Sequence, residues 1–146
     1  MRSTILTLIL ALFAGCEYLP FSGGRLDGLS SAPPENWSSI LKQEIIQLET
    51  KSEDPYSVNL WIVNIDNTPY VYSGDNYSTW AENIFEEKNV VLKAGGKLFK
   101  MEANRVLDAR IFEKFASAWE TKYGNRPMNE NYNETYLFAL SKRLEN

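Results

Sequence analysis

The chain contains no histidine and a single cysteine, Cys16. Without histidine, neither a Ser–His–Asp nor a Cys–His nucleophile can be assembled. One thiol cannot close an intramolecular disulfide, and with no imidazole beside it the usual zinc ligand sets are out of reach. The chemistry left open belongs to rings, hydroxyls, carboxylates and lysines. Trp61, Tyr70, Tyr72, Tyr77 and Trp80 lie close in sequence, with Ser73, Ser78 and Thr79 among them. Aromatic walls stack on a flat heterocycle and hydroxyls bond its edges. Trp61, Ser73, Tyr77, Ser78, Thr79 and Trp80 are therefore the candidate cofactor-binding set. The same residues suit a plainer purpose, with Trp61 and Trp80 as core, the tyrosines as cover and the hydroxyls as helix caps. Asp75, Glu82, Glu86 and Glu87 form an acidic face unless two of them share a cleft that splits their pKa values. No catalytic side chain and no metal site is assigned.

At 146 residues the chain has room for one ordinary domain. A hydrophobic share of 44% and an aromatic share of 13% supply the burial that a packed core needs. The formal charge of −4 makes nucleic acid a poor partner.

Residues 4–14 are uncharged and mostly apolar and follow Arg2. The stretch is too short to span a bilayer and has the length of a secretory signal core. It ends in Phe13-Ala14-Gly15-Cys16. That ending resembles the lipobox of bacterial lipoproteins, with Phe13 where the family prefers Leu. The resemblance implies that residues 1–15 are a signal peptide, that Cys16 is lipidated and becomes the new N-terminus, and that two or three acyl chains hold it firmly. Glu17, rather than Asp, after the cysteine leans towards the outer membrane, with the domain facing the periplasm. The competing reading is a buried helix with a core cysteine. Loss of Arg2 takes the formal charge from −4 to −5, so the mature surface does not itself attract anionic lipid.

Residues 17–36 hold Pro20, Gly23, Gly24, Gly28, Pro33 and Pro34, a linker composition. With Cys16 they are expected to form a flexible tether over residues 16–36. An arm packed on the domain through Tyr18, Leu19, Phe21 and Leu26 is the alternative.

The domain, residues 37–146, reads as α+β. A first helix is expected over residues 37–49, capped by Asn36, with Ile40, Leu41, Ile45 and Leu48 on one face. Strands are expected over 58–65 and 70–73, joined by the Asp66-Asn67-Thr68-Pro69 turn. A short helix over 79–87 follows, with Thr79 and Glu82 at capping-box spacing and Trp80, Ile84 and Phe85 on its inner face. Gly95-Gly96 marks a hairpin between strands over 90–93 and 97–103. Residues 109–123 carry Ile111, Phe112, Phe115, Trp119 and Tyr123 as an amphipathic stripe, with Gly124 as the stop. A strand over 135–140 closes the chain. Five or six hairpin-linked strands of this size make an antiparallel sheet that curls into a small barrel flanked by helices.

That order, with the segments Ser57-Val58-Asn59-Leu60-Trp61-Ile62-Val63, Tyr70-Val71-Tyr72-Ser73-Gly74, Ser78-Thr79-Trp80-Ala81-Glu82-Asn83 and Val91-Leu92-Lys93-Ala94-Gly95-Gly96-Lys97, resembles the split β-barrels of the pyridoxamine-phosphate-oxidase and deazaflavin-nitroreductase-like superfamily. A Trp-led opening at Trp37 and a Lys122-Tyr123-Gly124 helix end resemble a group of short single-domain members. The resemblance implies an FMN-type phosphate held by basic residues and the start of the short helix, and often a homodimer. Here residues 73–80 contain no Arg or Lys, and Asp75 would repel a phosphate. Residues 53–57 read Glu-Asp-Pro-Tyr-Ser where the relatives are Arg-rich, which leaves Lys93 and Lys97 as basic candidates or as solvated strand residues. Three functions stand. The leading one is an envelope lipoprotein presenting a binding module with an altered flavin-type pocket. The others are a flavin- or deazaflavin-dependent oxidoreductase, whose cofactor would carry the chemistry, and a structural envelope component.

Overall fold

The computed structural model describes residues 23–74 and 77–144. The elements are β1 (Leu29–Ser30), a 3-10 turn (Ile40–Lys42), β2 (Ile45–Thr50), β3 (Tyr56–Ile65), β4 (Thr68–Ser73), α1 (Thr79–Glu86), β5 (Asn89–Ala94), β6 (Lys97–Arg105), α2 (Ala109–Tyr123) and β7 (Tyr136–Lys142). The sheet runs β1-β6-β5-β2-β3-β4-β7, and β7 returns to β6. β2 to β7 thus close a six-stranded antiparallel barrel, the small α+β split barrel expected from the hairpin order. Among the described residues no helix is long and apolar enough to cross a membrane.

The expected first helix is corrected. Asn36 Oδ1 accepts from the Ser38 amide at 2.8 Å, and Leu41 N reaches Trp37 O, but only one turn forms. Gln43 then turns extended and the chain enters β2. Ile46, Leu48 and Thr50 are buried at every second position, the period of a strand. Over these few residues a period of two and a period of 3.6 share Leu48, which is why the apolar pattern misled. β2 pairs with β3 on one side and β5 on the other, so the barrel cannot close without it.

The two hairpins follow local chemistry. Gly95 and Gly96 both have positive φ, 56° and 74°, which favours a two-residue turn matched to strand twist. Asp66 and Asn67 adopt positive φ too, and β4 starts at Thr68, two residues before the expected Tyr70. Asn67 Oδ1 accepts from the Trp37 amide at 2.8 Å, which holds the opening segment against this turn.

The expected tether is corrected from Gly23 onward. Gly23 exchanges backbone hydrogen bonds with Ser57, and β1 lies parallel to the start of β6. Leu26 N donates to the buried Glu49 carboxylate at 2.6 Å, and Lys93 Nζ donates to Asp27 O at 2.7 Å. Glycine and proline composition made this stretch look like a spacer, yet its backbone groups are spent on the barrel. Cys16, and the signal and lipidation expectations that rest on it, lie outside the described residues.

Ile46, Leu48, Ile62, Val71, Leu92, Phe99, Met101, Phe138 and Leu140 fill one core, joined by Trp37 and by Trp80, Ala81 and Ile84 of α1. A second core lies under α2, where Phe112, Phe115, Ala116 and Trp119 pack with Val63, Tyr70 and Leu137. α2 has the expected bounds. Asp108 caps its start by accepting from the Arg110 and Ile111 amides, and Gly124 ends it in the left-handed region.

Candidate functional site

The six candidate residues do not converge on one pocket. Trp80 is 5% exposed and sits in the barrel core, its ring 5.7 Å from that of Phe138. Trp61 faces out on β3, where it stacks on Tyr123 with centroids 4.4 Å apart and planes 13° apart. Trp119 lies 5.2 Å away, so Trp61 serves the seam between β3 and α2. Trp61 and Trp80 therefore sit in different packing environments, because Trp61 is on the outer face of its strand.

Ser73 and Ser78 do meet, with their Oγ atoms 3.0 Å apart. Ser78, not Thr79, is the N-cap of α1, and it makes no side-chain cap bond to the helix. Thr79 is exposed in the first turn, so the Thr79–Glu82 capping box is corrected. The two serines join the end of β4 to the start of α1.

Tyr77 lies on a surface cluster of rings. It is 5.0 Å from Tyr136 and 6.1 Å from Phe85, and Phe85 is 5.9 Å from Tyr136. Tyr77 and Phe85 are each about half exposed, so Phe85 is not on the inner face of α1. Burial raises the Tyr77 phenol above its ordinary value, Glu82, Glu86 and Tyr136 reinforce the rise, and Arg105 opposes it. The Arg105 guanidinium sits 4.7 Å over the Tyr136 ring and 5.6 Å over Phe85. Its Nη2 donates to Thr135 O at 3.2 Å, while its buried Nε has no partner among the described residues.

Arg105 and Tyr136 were missed, and strand phase could have found them. Phe99, Met101 and Ala103 point into the core from β6, and Arg105 continues that phase. Tyr136 likewise shares phase with Phe138 and Leu140 of β7. A guanidinium in an apolar phase marks a barrel end where the apolar filling stops. The resulting face, Tyr77, Phe85, Tyr136 and Arg105, offers ring surface and one cation to a flat ligand.

The remaining candidates are spent elsewhere. Lys93 holds the arm, and Lys97 is exposed at the β1–β6 pairing. Glu86 pairs with Lys51 at 3.9 Å, and Glu87 accepts from the Ser52 amide and hydroxyl. Tyr72 donates to Asn129 O at 2.7 Å and packs with Phe115, and Tyr70 is in the core under α2.

No protein-family model matches the chain, and no curated protein matches it significantly. Solved structures do. A conserved hypothetical protein from Mycobacterium tuberculosis is similar with a TM-score of 0.60 and 16% identity, over 84% of this chain and 86% of that one. A protein described as a candidate pyridoxamine 5'-phosphate oxidase from Listeria innocua gives 0.55 and 15%, over 70% and 87%. An FAD-binding protein from Mesorhizobium loti gives 0.53 and 14%, over 73% and 87%. At these identities the likeness is one of fold, the six-stranded split β-barrel that the chain shares with these proteins.

Proposed function

We propose that the chain is a lipid-anchored protein of the cell envelope, held through Cys16 at the outer membrane and facing the periplasm. Its split barrel serves as a binding module whose flavin-type site has been altered. The site it offers is the face of Tyr77, Phe85, Tyr136 and Arg105, suited to a flat ring bearing a hydrogen-bond acceptor. One observation carries the altered-site part of this reading. The Ser73 and Ser78 hydroxyls, where a cofactor phosphate would be expected, bond to each other, and no lysine or arginine stands in residues 73–80. A phosphate dianion there would meet no cation from that loop.

The anchor is tested by feeding cells a labelled fatty acid. Label is expected on the wild-type protein and lost in Cys16→Ser, and undiminished labelling of the variant would contradict the anchor.

A second reading, a flavin- or deazaflavin-dependent oxidoreductase, is favoured by the shared fold with an FAD-binding protein and by the ring cluster beside Arg105. Equilibrium dialysis against FMN, FAD and a deazaflavin separates the two. Retention of any of them by the wild-type protein and its loss in Arg105→Gln supports the enzyme, and no retention removes it.

A further inference from the structure

β6 has one edge shared by two partners. β1 pairs with Lys97 and Leu98 at its start, and β7 pairs with Met101 to Arg105 at its end. Ser31 N bonds Leu98 O, and the edge between the two partners, at Phe99 and Lys100, belongs to neither. A cleft of about 620 Å³ opens there, lined among others by Ser30, Ser31, Lys100, Lys142, Arg143 and Leu144.

The cleft is cationic in a protein that is acidic overall. Lys142 is the register partner of Met101, so Lys100 and Lys142 come from adjoining positions on paired strands. Arg143 lines the same cleft, its Nη2 donating to Val90 O at 2.8 Å and its Nε donating to Met101 O at 3.4 Å. None of the described lining residues is acidic. Among the described residues, neither lysine makes an ion pair with a carboxylate. Like charges lining one cleft repel one another until an anion joins them.

We propose that this cleft binds an organic phosphate. A phosphate ester brings up to two negative charges and three free oxygens to two ammonium groups and a guanidinium, where a carboxylate brings one charge and two oxygens. The volume is that of a small-molecule site, so the phosphate carries an organic group of about sugar size. The Ser30 and Ser31 side chains supply hydroxyls, and Ala32, Pro33 and Leu144 supply apolar wall. A free phosphate ester and a phospholipid headgroup share this chemistry. The cleft has no residue in common with the Tyr77 face and needs neither a flavin-type ligand nor the lipid anchor.

The test uses the full chain purified in a neutral detergent and follows the amide resonances of Lys100, Lys142 and Arg143. The probes are glycerol 3-phosphate and dihexanoyl phosphatidylglycerol. Saturable shifts at these amides with at least one probe are expected, and which probe acts tells the free ester from the headgroup. Lys100→Gln combined with Lys142→Gln should weaken binding about tenfold or more, since each charge-assisted contact is lost. Lys100→Arg with Lys142→Arg, which keeps the charges, should retain it. Lys88→Gln, which removes a cation held by Asn104 on the far half of β6, should change nothing. No saturable shift with either probe, or equal binding by the glutamine pair, would overturn the proposal.

Discussion

Lys122 Nζ donates to the main-chain oxygen of Ile62 at 2.7 Å. The same ammonium reaches Leu41 O at 2.9 Å and Gln43 O at 2.8 Å. The neighbouring Tyr123 hydroxyl accepts from Ile62 N and lies 2.7 Å from Glu44 O. The end of α2 therefore ties the segment before β2 to the middle of β3. This gives the Lys-Tyr-Gly ending a physical purpose: the ammonium and phenol satisfy carbonyls at a bend, and Gly124 stops the helix there. Burial lowers the Lys122 ammonium below its ordinary value, with Glu44 opposing.

Lys122→Met keeps the side-chain length and removes three donors. We expect it to lower stability by about 2 kcal/mol, because hydrogen bonds to a charged donor are lost and their acceptors are left partly buried. Tyr123→Phe should cost about 1 kcal/mol. Urea denaturation measures both, and a Lys122→Met midpoint equal to wild type would dismiss the clamp.

Asp108 gives a pH dependence. The Ile111 and Arg110 amides hold its carboxyl below the ordinary range. The folded chain therefore resists its protonation more than the unfolded chain does. Its contribution is fully present above the ordinary carboxylate value and is lost as pH falls through the folded one. Asp108→Ala should melt lower than wild type at neutral pH, and the gap should close as the pH is taken down to about 2. Thermal melts across that range check it, and a gap constant with pH would contradict the cap.

Leu48 tests the strand that the apolar pattern disguised. It is fully buried between β3 and β5. Leu48→Ala should cost about 3 kcal/mol, the scale of a leucine deleted from a packed core. A loss below about 1 kcal/mol in denaturation would count against the burial of Leu48 in β2.

What could be read from residues alone depended on how local the cause was. α2 is specified within its own sequence by a long apolar stripe and a left-handed glycine, and its bounds came out as expected. Gly95-Gly96 fixed its hairpin for the same reason. β2 and the β1 arm take their structure from partners far along the chain, at Trp61, Lys93, Glu49 and Lys97, which no local pattern carries. Among the site candidates, Tyr77 stood out as an aromatic, but its companions Tyr136 and Arg105 arrive from β7 and β6 through barrel closure. Trp61 and Trp80 looked like one cluster because they are near in sequence, and the barrel wall puts them in separate packing environments.

The altered site at α1 is most directly tested by the visible spectrum of the purified full chain, mixed with excess FMN, desalted, and then treated with dithionite. We expect no flavin absorbance to travel with the protein and no reductant-dependent change. A stoichiometric flavin band that bleaches on reduction and returns in air would contradict the binding-module reading and make the chain a flavin enzyme.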